Sequence, residues 1–225
     1  ASVDSAGRLF VTENWVNSAN GEQTIYLISS DDGGATWSAK HEVSAHVDGV
    51  DWVYQDIDVM TDDTVVVSYG QWDEGDHQFR NMVALSTDHG ASWSRYQVAT
   101  TAYVYNPALL TVGSDTLYSF GQGGASVPLK GLVFSKSTNR GQSWSAWTLI
   151  DATCEYADPS AAVGEDNSIL LTHRTNNFAG APTEGSCGDR CRQALRRSTD
   201  GGATWALVDD NFEGERPDPA VGEPG

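Results

Sequence analysis

The chain has 225 residues, enough for one domain spanning residues 1–225, and its 39% apolar content supports a buried core. Against 13 basic residues stand 31 acidic ones, a formal net charge of −18 that repels nucleic-acid phosphates and anionic membranes and argues against both as partners. No apolar run approaches the roughly 20 residues that cross a bilayer, so membrane insertion is not expected.

Taken in chain order, the sequence alternates short β-rich runs with turn signals. Branched and aromatic residues at 9–12 and 24–28 read as two strands, followed by the turn Ser30-Asp31-Asp32-Gly33-Gly34-Ala35-Thr36-Trp37. The next unit opens at Asp56-Ile57-Asp58-Val59, continues through 65–68 and 82–85, and reaches the turn Ser86 to Trp93. A third runs from Asn106-Pro107 through 117–120 and 132–134 to the turn Ser137 to Trp144. A fourth runs from Asp158-Pro159 through 169–172 and 194–195 to the turn Ser198 to Trp205, and Asp218-Pro219-Ala220-Val221 then begins another.

The turn is the internal repeat. Its pattern, S-x-[DN]-x-G-x-[ST]-W, occurs four times at intervals of about 55 residues. The Asp or Asn side chain is expected to accept backbone N–H groups two residues on, and the Gly to supply a positive φ. The hydroxyls tie the turn's ends, and the Trp folds back between neighbouring sheets. The motif is therefore structural, and its carboxylates are not catalytic candidates. Counting the strand after each turn, every unit has four strands, A to D, with the turn between C and D. That is a propeller blade.

The expected fold is all-β, a β-propeller of four-stranded antiparallel blades. The first blade starts at a B strand and 218–221 supplies a spare A strand. The reading is four blades closed into a ring by that C-terminal strand, with a fragment of a six-bladed propeller as the alternative.

Four boxes in register resemble the sialidase-like Asp-box (BNR-repeat) superfamily. The resemblance implies a secreted or cell-surface propeller and glycan chemistry or glycan binding. Family sialidases grip the sugar carboxylate with an arginine triad, attack with a Tyr helped by a Glu, and use an Asp as acid and base. The matching candidates here are Tyr69, Glu155, Arg174 and Arg216. The family's Arg-Ile-Pro motif is absent; the nearest string, Arg216-Pro217-Asp218-Pro219, fits the A-strand repeat instead.

Residues that differ between blades are the better site candidates. By the repeat, Glu13, Tyr69, Phe120 and His173 occupy one position at the B-strand ends, followed by Asn14, Gly70, Gly121 and Arg174. Trp15 and Trp72 fall in B–C loops, Trp52 in a D–A loop, and Tyr54, Tyr103, Tyr105 and Tyr156 just before A strands. Their rings would gather at one mouth of the propeller, where aromatic faces stack on sugars. Asp56, Asn106, Asp158 and Asp218 recur at equivalent positions and read as turn caps. Glu155 and Glu215 precede two Asp-Pro steps and could form a carboxylate pair. No cofactor is implied, although the acidic loop Asp73-Glu74-Gly75-Asp76-His77 offers oxygen ligands for calcium. Cys154, Cys187 and Cys191 fit either one disulfide with one free thiol or three reduced thiols. A bridge from Cys154 would pin the long loop 178–192 over the mouth. The function read from all this is a secreted carbohydrate-binding or interaction propeller. The alternatives are an exo-sialidase-type glycoside hydrolase and a structural subunit of a surface assembly.

Overall fold

A computed structural model describes residues 1–17, 23–45, 50–73, 75, 77–99, 104–123, 130–152, 158–175 and 192–212, with only the backbone described at 50–53, 78, 106, 192 and 210–212. The strands form four sheets of four, each antiparallel and ordered as the chain runs. The first blade holds β1 (Ser2–Val3), β2 (Leu9–Val16), β3 (Gln23–Ser30) and β4 (His41–Glu42). The second holds β5 (Val50–Val59), β6 (Val65–Asp73), β7 (Gln78–Ser86) and β8 (Ser94–Gln97). The third holds β9 (Val104–Val112), β10 (Thr116–Gly123), β11 (Gly131–Ser137) and β12 (Thr148–Asp151). The fourth holds β13 (Ser160–Val163), β14 (Ile169–Thr175), β15 (Arg192–Ser198) and β16 (Ala206–Phe212).

Consecutive blades pack face to face, and β5, β9 and β13 lie innermost, side by side. Three apolar clusters fill the seams. Phe10, Ile25 and Leu27 meet Val65, Val67 and Tyr69 between blades one and two. Val66 and Val83 meet Leu109, Leu117 and Val133 at the second seam. Tyr118, Phe120 and Phe134 meet Ile169 and Leu171 at the third. A middle blade is apolar on both faces, so Val65 to Gly70 is buried without a break rather than alternating. Burying a ring such as Phe10, which is wholly covered, stabilises the seam by about 2–3 kcal/mol.

The boxes build their turns by a reach longer than expected. The Asp32 carboxylate accepts from the backbone N–H and the hydroxyl of Thr36, four residues on, at 2.8 and 2.6 Å. Ser30 Oγ donates to Asp32 and accepts from Gly34 N–H at 2.8 Å. Asp88 and Asp200 repeat the pattern. Asn139 preserves it by turning its amide N–H to Ser143 Oγ. Gly90 and Gly141 have a second reason to be glycine. Besides φ of 94° and 76°, a Cβ there would fall 2.5 Å from Leu27 and 3.1 Å from Val83, each on the preceding blade. Trp93, Trp144 and Trp205 pack on the seam behind them, whereas Trp37 is 42% exposed.

Two expectations change, and a third falls on residues outside those described. The first blade does not lack its A strand, because Ser2 and Val3 pair with Phe10 and Leu9. The closing strand at 218–221 lies outside the described residues, and among those described no packing comparable to the other seams joins the first blade to the fourth. The second correction is one of register. Taking the box Ser as origin, Ser86 pairs with Val65 and Ser137 with Leu117, so Tyr69 corresponds to Gly121 and not Phe120. One residue of slip reverses the side chain: Tyr69 faces the first blade, and Phe120 faces the fourth.

Candidate functional site

The B strands end, and the A strands begin, at the end opposite the boxes: Val50 pairs with Asp73, and Val104 with Gly123. The candidate residues that the structure describes fall into three groups at this end.

The first group is aromatic. Trp15, next to last in β2, is 44% exposed, Tyr54 is 50% exposed, and Tyr105 is 40% exposed. Trp72, at the end of β6, lies 6.1 Å from the His77 ring. Tyr105 leans on Phe79 at 5.4 Å, and Phe79 is itself buried. Phe79 was not singled out from sequence; its partner is Gly70, which leaves room for the ring because a Cβ there would sit 2.3 Å from it. Trp15 and Trp72 belong to strands rather than to B–C loops, and Trp52 sits within β5 opposite Gln71, not in a loop. The side chain of Trp52 lies outside the description, as do Tyr103, Glu155, Tyr156, Glu215, Arg216, Asp218 and all three cysteines.

The second group is charged, and its members are paired. Lys40 meets Glu13. Arg174 meets Asp158 at 3.3 Å, and Arg80 meets Asp73 at 3.4 Å. Asp73 also caps Gly75 N–H at 2.8 Å, so the acidic loop spends this carboxylate on its own turn. Glu74 and Asp76 lie outside the described residues, among which no group of three metal-ligating side chains occurs.

The third group is buried. Tyr69 is fully covered in the first seam, where burial pushes its phenol up to about 12 despite the nearby Arg95. That position removes it from a solvent-facing nucleophile's role. His173, 1% exposed, lies at the third seam. Its Nδ1 bonds the Arg174 carbonyl at 2.9 Å, while Nε2 accepts from Arg196 Nε at 3.1 Å. The two bonds fix the neutral tautomer, and burial lowers its basicity. Arg196 in turn gives Nη2–H to buried Asp151 at 2.6 Å. His173 is thus a seam residue, not a channel-lining one.

The recurring Asp positions also separate. Asp56 pairs with Ser68, Ala108 with Phe120 and Ser160 with Thr172, three places along each B strand. Asn106 and Asp158 therefore correspond to Tyr54, two residues earlier, and the three are not turn caps of one kind. Asp56 joins blades: its carboxylate accepts from Leu109 N–H at 2.9 Å and from Ile57 N–H. Burial, the largest influence, raises its pKa. Asp56, Asp58, Leu109, Thr111 and Ser160 border a central cleft of about 610 Å³.

Residues 3–212 match the model of the BNR repeat-like domain. The chain belongs to that family. This BNR-repeat chain superposes on the α-L-arabinanase of Penicillium chrysogenum in complex with arabinobiose with a TM-score of 0.68, at 15% identity, over 91% of this chain and 64% of that one. It superposes on the GH93 α-L-arabinofuranosidase of Fusarium graminearum at 0.66 and 18% identity, over 88% and 61%. For the sialidase of Trypanosoma rangeli with sialic acid the values are 0.58 and 14%, over 92% and 36%. The BNR-repeat chain thus spans less than two-thirds of the length of these structures, and the likeness is one of fold: a β-propeller. No curated protein matches it by sequence.

Proposed function

We propose that this propeller recognises a glycan at the end where its B strands finish. The Tyr105 ring carries the reading. It is exposed on one side and held on the other by Phe79, whose own position is set by Gly70. A ring fixed in this way offers a flat apolar face at little entropic cost, which suits a pyranose or furanose face. Trp15 and Tyr54 add exposed rings, and polar groups at Asn14, Arg174 and Asp158 stand ready to meet hydroxyls. That related folds hold arabinobiose and sialic acid supports the reading.

Binding is favoured over turnover by this chain alone. Tyr69 is sealed in a seam, and the Asp56 oxygens already accept backbone N–H groups that a proton would displace. Secretion suits a glycan binder and belongs to the same proposal. Glycan-array screening of the full chain, followed by titration calorimetry of Tyr105→Ala, tests it. A hit weakened at least tenfold by Tyr105→Ala supports the reading, and an array without hits overturns it. Release of a fluorogenic sugar by the chain would favour the hydrolase instead.

A further inference from the structure

Seven arginines have described side chains, and six of them are ion-paired: Arg8 with Asp31, Arg80 with Asp73, Arg140 with Asp62, Arg174 with Asp158, Arg196 with Asp151 and Arg197 with Asp166. The seventh, Arg95, donates to the Val43 carbonyl. The candidate face carries Arg80 and Arg174, with Arg196 buried beneath it. Each is answered by a carboxylate of its own blade or of the adjoining one.

This bears on the charge of the ligand. A sugar carboxylate is gripped by arginine through parallel N–H bonds, and it needs a guanidinium that is uncommitted. At the described arginines of this face it would have to displace Asp73, Asp158 or Asp151. Such an exchange replaces one anion with another, while the displaced Asp stays within a few ångströms and repels the newcomer. Asp56 and Asp58 in the adjoining cleft, and a chain of net charge −18, oppose it further. Sugar hydroxyls meet no such penalty, because a paired Arg–Asp couple offers them both donors and acceptors without a change of charge.

We propose that the glycan taken by this face is uncharged, and that Asp158 and Asp73 set the preference by occupying Arg174 and Arg80. The inference rests on the glycan-recognition reading and narrows it to neutral pentose or hexose chains. Sialic and uronic acids are refused.

Titration calorimetry on the full chain, at low ionic strength, compares two probe sets. One comprises arabino-, xylo- and galacto-oligosaccharides; the other comprises sialyllactose and oligogalacturonate. The expected result is binding within the neutral set and at least tenfold weaker binding throughout the acidic set. Equal or tighter binding of an acidic sugar overturns the inference and leaves glycan recognition standing. Silence in both sets overturns glycan recognition itself. Asp158→Asn, at a half-exposed position outside the core, frees Arg174. It should raise acidic-sugar affinity roughly tenfold relative to neutral, the scale of one charge-assisted hydrogen bond, and the gain should fade at about 0.5 M NaCl. Asp73→Asn should do the same through Arg80. If neither variant shifts the ratio, the assigned role of the two carboxylates is wrong.

Discussion

The Asp58 carboxylate reaches from the second blade to Thr111 of the third, accepting from its backbone N–H at 2.9 Å and from its hydroxyl at 2.8 Å. Two residues earlier, Asp56 accepts the Leu109 backbone N–H in the same way at 2.9 Å. The innermost strands of neighbouring blades share no sheet ladder, so side chains supply the bonds between them. Asp58→Ala should therefore destabilise the chain by about 2 kcal/mol, the scale of two charge-assisted bonds at a half-buried site. Urea unfolding with an unchanged m-value checks this. A shift within error would show that the stitch contributes nothing net.

Acid should attack the boxes selectively. Asp32, Asp88 and Asp200 are each lowered to about 2, chiefly by the hydroxyl four residues on. A carboxylate depressed in the folded state adds stability above its ordinary value near 3.8 and loses it as pH falls toward 2. The third box, with Asn139, has no such group. Amide exchange resolved by blade should show three box turns loosening between about pH 4 and 2 while the Asn139 turn holds. Asn139→Asp should bring the third turn into line with the other three.

His173 acts in the same direction but at higher pH. Its folded pKa lies below the ordinary 6.5, with burial as the main cause. The unfolded chain then binds the proton first, so the stability this residue confers is whole above about 6.5 and drains away as pH falls below it. The melting temperature of the wild type should drop between about pH 6.5 and 5 more steeply than that of His173→Gln. Parallel curves would mean that the imidazole is not held neutral.

Gly70→Ala tests the support beneath Tyr105. The added methyl must push Phe79 aside, because the backbone of β6 is bonded on both edges. Overpacking of this kind costs roughly 1–3 kcal/mol, and the chain should still fold. Sugar affinity should fall several-fold even though no candidate contact residue has changed. Unaltered binding would detach Tyr105 from the site.

Residues 30–37 and their three copies made the propeller legible, since the turn's chemistry is carried within eight residues. The register at the strand ends was not. In β10 both faces are buried, so Leu117, Tyr118 and Phe120 give no alternation from which to choose a face. Bulges in β5 and β9 shift the count again between the Asp or Asn positions and the rest of the strand. The aromatic end was visible as a set of unusual rings. Its organisation was not visible, because Phe79 is an ordinary strand residue until Gly70 of the neighbouring strand is placed beneath its ring. The ion pair Arg174–Asp158 and the hydrogen bond Arg196–His173 join residues well separated along the chain, and no local pattern announces them.

Each seam has a direction. Gly90, Gly141 and Gly202 lie against Leu27, Val83 and Phe134, one equivalent residue in the third strand of each preceding blade. The later blade brings the plug and the earlier one offers the socket. Blades are therefore exchangeable parts with a polarity: a transplanted unit must match its box to the socket behind it, and must present a residue of fitting size to the box ahead. Drift at a socket residue is tolerable only with compensating change about 60 residues downstream, in the next blade's turn. A library that varies Val83 together with residues 139–144 would sample the propeller's own grammar of assembly.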